Sequence, residues 1–145
     1  MLQRHEFDYC LDNLQKIRSF VNSSLLETPL EESERHMVVV AVDEICANLV
    51  IHSMVDDPKC HFEVGVEMDS DNQEIVVEVR DEGNAFDPTI HVSRTTDEIR
   101  LQRRKGGLGL SMVQRIMDRV EYCKDANYNI CRMYKVLALP DRVAV

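Results

Sequence analysis

Two adjacent runs of strict alternation constrain this chain more than any other feature. Between His61 and Asp69, Phe62, Val64, Val66 and Met68 share one phase while Glu63, Gly65 and Glu67 share the other, the period-2 signature of a half-buried strand. From residue 74 to 81 the pattern returns with Ile75, Val77 and Val79 in phase, and the intervening Asp69-Ser70-Asp71-Asn72 is turn chemistry. The two runs predict an antiparallel hairpin with one dry face and one wet face. The dry face must be covered.

Helical periodicity supplies the cover. Phe7, Leu11, Leu14, Ile17, Phe20 and Val21 recur at spacings of three and four, which predicts a first helix over about residues 6–21. Pro29 followed by Glu31, Glu32, Ser33 and Glu34 suits the start of a second helix, because acidic groups favour the N-terminal end of the macrodipole; it should run to about Met54. After Gly106-Gly107-Leu108-Gly109, the spacing of Leu110, Val113, Ile116 and Met117 predicts a third. Two further strands are expected near residues 120–124 and 130–137, joined around Asn127-Tyr128-Asn129. Residues 83–105 carry few apolar positions and no periodicity, and so long a connection in a small domain is usually functional or mobile; it is read as a lid loop. The expected architecture is α+β, a two-layer sandwich of a mostly antiparallel sheet covered on one face by about three helices.

Composition narrows the class. At 145 residues and 44% apolar, the chain suits one domain over residues 1–145 with a real core. No apolar run reaches the ~18 residues of a membrane span, and the charged start Met1-Leu2-Gln3-Arg4-His5-Glu6 is no secretory signal, so a cytoplasmic protein is expected. Five scattered cysteines with no C-x-x-C pair point to neither a zinc site nor a disulfide framework. A net charge of −9 repels nucleic acid and anionic membrane, and neither is an expected partner. The local Arg103-Arg104-Lys105 cluster can still attract one phosphate group.

Three segments carry candidate chemistry. On a helical wheel, Glu44, Asn48 and His52 fall within about 80° of one another, on a helix whose other positions, Val38 to Val42, Ile45, Cys46 and Leu49 to Ile51, are nearly all apolar. A polar stripe there should be partly buried and in need of a partner, since an unpaired buried carboxylate costs several kcal/mol; an ordinary capped or surface stripe would look the same. Asp81 shares the phase of Ile75, Val77 and Val79, so it points to the covered face at a strand end, just before the chain turns at Gly83. Taken alone it could be a plain turn aspartate. Gly106-Gly107-Leu108-Gly109 ahead of a helix can offer backbone N–H groups and a positive helix end to phosphate, or be a structural loop. It is not a Walker A loop, lacking the Lys-Ser/Thr, nor a Rossmann fingerprint.

Taken together, these segments resemble the GHKL ATPase superfamily, whose members include histidine-kinase catalytic domains, type II topoisomerase subunits and a heat-shock chaperone. Glu44-Ile45-Cys46-Ala47-Asn48 resembles its N box, Asp81-Glu82-Gly83-Asn84-Ala85-Phe86-Asp87 its first glycine box and Gly107-Leu108-Gly109 its second, in the same order and with similar separations. Within the superfamily the chain is most similar to the small bacterial anti-sigma-factor serine kinases. That likeness rests on Asp43-Glu44 through Asn48 to His52, Phe86-Asp87-Pro88, and Gly106 to Leu110 leading to Met117-Asp118 with Val120 and Tyr122, and it extends to about Leu137.

The resemblance implies a Bergerat-type fold binding ATP with Mg²⁺. Asp81 would accept the adenine amino group, with Gly83 and Phe86 lining the same pocket. Asn48 would ligate Mg²⁺. Glu44 would be the general base, Lys105 a basic lid residue, and Gly107, Leu108, Gly109 and Leu110 the phosphate cradle. The implied function is a protein-serine kinase that phosphorylates an anti-anti-sigma partner and holds a sigma factor, with a homodimer left open. The alternative is a nucleotide-gated binding module that sequesters a partner without phosphoryl transfer. The catalytic half of a histidine kinase is disfavoured, because no dimerising, histidine-bearing helix pair precedes the domain. Three departures stand out. Only Met1 to Glu6 is left for the strand that usually precedes the first helix, so that strand, and a dimer edge built on it, is expected to be short or absent. The fifth position of the first glycine box is Ala85, and no Gly-Thr pair in the last strand is available to the adenine, which implies a modest nucleotide affinity.

Overall fold

The computed structural model of the protein describes residues 2–52, 61–82, 109–125 and 128–137. Five strands, β1 (Leu2–Asp8), β2 (His61–Asp69), β3 (Glu74–Glu82), β4 (Arg119–Asp125) and β5 (Tyr128–Val136), form one sheet in the order β1-β2-β3-β5-β4. Every neighbouring pair is antiparallel. The helices are α1 (Leu14–Leu25), α2 (Glu32–His52) and α3 (Gly109–Ile116), with a 3-10 turn at Leu11–Asn13 ahead of α1. This is the expected α+β sandwich. None of the described helices is long and apolar enough to cross a membrane.

The hairpin follows from its sequence. In β2 and β3, Phe62, Val64, Val66, Ile75, Val77 and Val79 are all buried, and registers such as Val64 opposite Val79 put them on one face. The turn closes through Asp69, whose Oδ1 accepts from the backbone N–H of Asp71 and Asn72 at 3.1 and 3.2 Å. Gln73 completes the reversal at φ 52°, a left-handed conformation that few residues with a Cβ adopt.

The expected wet face is a lattice of charge. Glu78 meets Arg80 and Arg132 at 3.0 Å each and Arg4 at 3.5 Å. Arg4 reaches it from β1 by crossing β2 at Gly65, where an added Cβ would lie 3.6 Å from Arg4 Nε.

The first helix begins later than its periodicity implies, and the strand before it is present. Glu6 and Phe7 belong to β1, seven residues long, and α1 starts at Leu14. Phe7 stands four residues before Leu11, which imitates a helical pair. In the structure Phe7 lies opposite Phe62 in register, is buried, and packs its ring against Phe20 and Phe62. An edge strand that buries one side chain leaves no alternation to detect.

The core lies between the sheet and the helices. On α2, Val38, Ala41, Val42, Ile45, Cys46 and Leu49 are buried, at the spacing of one helix face. Each such aliphatic side chain contributes ~1.5–3 kcal/mol when fully removed from water. Met37, Val40 and Ile51 are exposed on the same helix, so α2 has an outer side, where the sequence suggested almost none.

Candidate functional site

Several contacts orient α2 over the sheet. Ser33, Glu34 and Met37 in its first turns line a groove of about 370 Å³ with Met112, Arg115 and Ile116 of α3 and with Lys135 of β5. Lys135 Nζ donates to the carbonyl of Ile116 at 3.0 Å. Two turns further on, Cys46 is fully buried, and the neighbouring Asp43 and Cys131 add to burial in pushing its thiol up. Cys131 stands opposite Val79 in register, and Asn129 opposite Asp81. Hence α2 starts over the Lys135 end of the sheet and runs toward the Asp81 end, carrying Asn48 there. Because α3 finishes at the Lys135 end, Gly109 and Leu110 open it at the other end of a helix about 12 Å long.

Asp81 is the most perturbed carboxylate described. It is 2% exposed; Oδ1 accepts from Asn129 Nδ2 at 3.2 Å, while the buried Oδ2 has no donor in hydrogen-bonding geometry among the described residues. Burial drives its pKa up to about 6, opposed by the hydrogen bond of Asn129 and then by the Tyr9 hydroxyl, with Glu82 adding a smaller upward push. A strand that places a carboxylate in line with Val77 and Val79 forces this desolvation. Oδ2, to which the Tyr9 hydroxyl lacks hydrogen-bonding geometry, suits a ligand that brings a donor.

Asn48 is similarly placed. It is 3% exposed, and its Nδ2 makes no hydrogen bond among the described residues. The two ends of a side-chain amide are interchangeable by a flip, so the unsatisfied end can face an oxygen ligand or present its own oxygen to a hard cation. Glu44, one turn earlier on the same face, is half-buried, and its pKa is raised by desolvation and by the adjacent Asp43. A carboxylate held this way is a stronger base than one in water. Arg18 fixes Asp43 at 2.8 Å, leaving Glu44 as the carboxylate beside Asn48.

Of the residues singled out in the sequence, Asn48 and Asp81 occupy one end of the sandwich, with Glu44 a turn before Asn48 on the same face of α2. Gly83, Phe86, Lys105, Gly107 and Leu108 lie outside the described residues, as do the expected lid and Ala85. Among the described residues no three His, Cys, Asp or Glu side chains gather as a metal site. A Mg²⁺ ion that takes one protein oxygen and keeps waters and phosphate oxygens needs no such cluster, and Asn48 fits that requirement.

Sequence reasoning missed Asn129 and Tyr9. The sequence places Asn129 at a turn, yet β5 begins at Tyr128 and pairs Asn129 with Asp81. Its parity with the buried Cys131 and Met133 was the available signal. Tyr9 follows β1, which the helical reading had absorbed.

An antiparallel five-stranded sheet under three helices, with these polar groups sunk at one end, is the GHKL-type ATP-binding fold. Residues 8–135 match the model of the histidine kinase-like ATPase domain, and the chain belongs to that family. No curated protein matches the chain significantly. Among solved structures, the RsbU and RsbW domains of Rv1364c from Mycobacterium tuberculosis superimpose with a TM-score of 0.68 at 17% identity, over 97% of this chain and 33% of that one. This chain therefore spans about a third of that protein. The SiaB–SiaC complex from Pseudomonas aeruginosa gives a TM-score of 0.62 at 13% identity, over 91% of this chain and 88% of that one. At such identities the likeness carries the fold.

Proposed function

We propose that this chain is a single ATP-binding domain of the anti-sigma-factor kinase type, spanning residues 1–145 and acting in the cytoplasm as a protein-serine kinase. Its phosphorylation substrate is an anti-anti-sigma protein, and in its nucleotide-bound form it holds a sigma factor. The observation that carries the reading is the pair of buried polar side chains, Asp81 and Asn48, each with an atom unsatisfied among the described residues, at one end of the sandwich.

Each residue then has a stated task. Asp81 Oδ2 accepts from the amino group of adenine. Asn48 gives one amide oxygen to Mg²⁺. Glu44 takes the proton of the partner's serine hydroxyl as its oxygen bonds to the γ-phosphorus and the bond to the β,γ-bridging oxygen breaks. Lys105 and the backbone N–H groups of Gly107, Leu108, Gly109 and Leu110 hold the phosphate oxygens, with Gly83 and Phe86 beside the base. ATP supplies the phosphoryl group and Mg²⁺ offsets its charge. Two structural neighbours, one containing an RsbW domain and one a two-protein complex, support a protein as the acceptor.

Incubation with γ-labelled ATP, Mg²⁺ and the candidate anti-anti-sigma protein tests the proposal. Label on a partner serine is the expected result. Partner binding that depends on ATP, without any transfer of label, would replace the kinase with a nucleotide-gated binding module.

A further inference from the structure

The described molecule pairs one buried carboxylate with one buried-face amide. Asn129 of β5 stands directly across from Asp81 of β3 and donates to its Oδ1 at 3.2 Å. Oδ2, the other carboxylate oxygen, is buried. A carboxylate on the end of a strand can rotate about χ2, a broad two-fold torsion, and an amide bonded to one oxygen fixes which oxygen faces the ligand. The same bond favours the charged form against the cost of burial.

We propose that Asn129 is a positioning residue. By holding Asp81 Oδ1 it turns Oδ2 toward the base of the bound nucleotide and keeps the carboxylate ionised, so that β5 sets the pH range over which the domain binds an adenine nucleotide. This rests on the reading of Asp81 as the base-recognising residue. Among the described residues, the groups around that carboxylate are few. Tyr9, after β1, favours ionisation as Asn129 does, Glu82 on the same strand opposes ionisation, and Lys124 of β4 stands in register beyond Asn129, exposed to solvent. From the helical layer the ionisable side chains described toward this end are the half-buried Glu44 and the buried Cys46. Neither Lys124 nor Glu44 is a source of the perturbation of Asp81, whereas Asn129 is the largest influence opposing burial.

The role predicts a change in the shape of a pH profile as well as in affinity. ATP affinity of the parent, measured by calorimetry between about pH 5 and pH 8.5, should fall about tenfold per unit below the point where Asp81 protonates. In Asn129→Ala the whole profile should move up by about one unit, because a hydrogen bond to a charged group is lost. Binding that is weak at neutral pH then recovers toward the parental value in mild alkali. Asn129→Asp keeps the shape but sets two carboxyl groups face to face, which must share a proton, and should move the profile further in the same direction. Either variant, whichever folds, decides the matter. A profile lowered equally at every pH, with its midpoint unmoved, would overturn the proposal and leave Asn129 a packing residue.

The ligand-free protein separates this from the reading beneath it. Carbon-detected NMR of the Asp81 carboxyl should show its titration midpoint raised in Asn129→Ala without nucleotide, and an unmoved midpoint also refutes the proposal. If the parent and Asp81→Asn bind ATP equally well while the NMR midpoint does move, the base-recognition reading fails and Asn129's hold on the charge stands.

Discussion

Replacing Asp81 with Asn removes a charge that the fold keeps out of water at a cost. The ordinary value for the group is 3.8, and in the folded protein it rises to about 6. Between those values the folded state binds more protons than the unfolded chain, so stability falls as pH rises through that window and the full penalty is present above it. A shift of this size corresponds to about 3 kcal/mol at neutral pH, as an upper figure, because water reaching the open end of the site would reduce it. Asn is neutral at every pH, keeps the shape, and retains an oxygen to accept from Asn129. Its new N–H₂ group in place of Oδ2 adds an unpartnered donor worth ~1–3 kcal/mol, so the absolute difference from the parent is less informative than its pH dependence. Urea unfolding of both proteins at about pH 4.5 and about pH 7.5 should show the difference shifting in favour of the variant by roughly 2 kcal/mol, a large part of a typical domain's stability. All other titrating groups cancel in that comparison. The variant should meanwhile lose ATP affinity and its preference over GTP. A stability difference indifferent to pH would show that Asp81 is not strained by burial and would remove the basis for giving it a ligand.

Three other substitutions follow from the same geometry. Glu44→Gln should retain ATP binding and reduce phosphoryl transfer by ~10²- to 10⁴-fold, the usual contribution of a general base, as read by labelled-phosphate transfer alongside calorimetry. Asn48→Ala should weaken ATP binding with Mg²⁺ present and leave the weaker, metal-free binding nearly unchanged, which parallel titrations with and without a chelator will measure. Phe7→Ala should cost about 3–5 kcal/mol of unfolding free energy, as for other buried phenylalanines, because Phe7 is the one side chain that β1 buries; a loss typical of a surface residue would contradict the strand assignment.

What the sequence made legible depended on how completely each element states its own pattern. β2 and β3 alternate along their whole length because one face is dry, and their expected limits agree with the observed ones to within a residue. The same parity located Asp81 on the covered face, and helical spacing located Asn48. Where a segment buries little, the signal fails: β1 has a single buried residue, and Phe7 was drawn into the helix by its distance from Leu11. Asn129 was hidden by composition, since Asn-Tyr-Asn looks like a turn and only its pairing across β3 makes it a strand residue. Glu44 illustrates a different limit. Its helix face could be read from spacing, but its half-burial and raised pKa depend on α2 having an outer side. Pocket residues within 83–108 are outside the described residues, and their roles rest on the resemblance.

The central claim is that the end of the sandwich holding Asp81 and Asn48 binds ATP with Mg²⁺, and thermal unfolding in the presence of ligand tests it most directly. A ligand that binds only the folded state must stabilise it, by ~2.7 kcal/mol at a hundredfold excess over the dissociation constant. The account predicts a rise in melting temperature with Mg-ATP that is smaller with GTP, smaller when Mg²⁺ is chelated, and nearly absent in Asp81→Asn. A melting curve unmoved by saturating Mg-ATP, from protein shown to be folded, would contradict it.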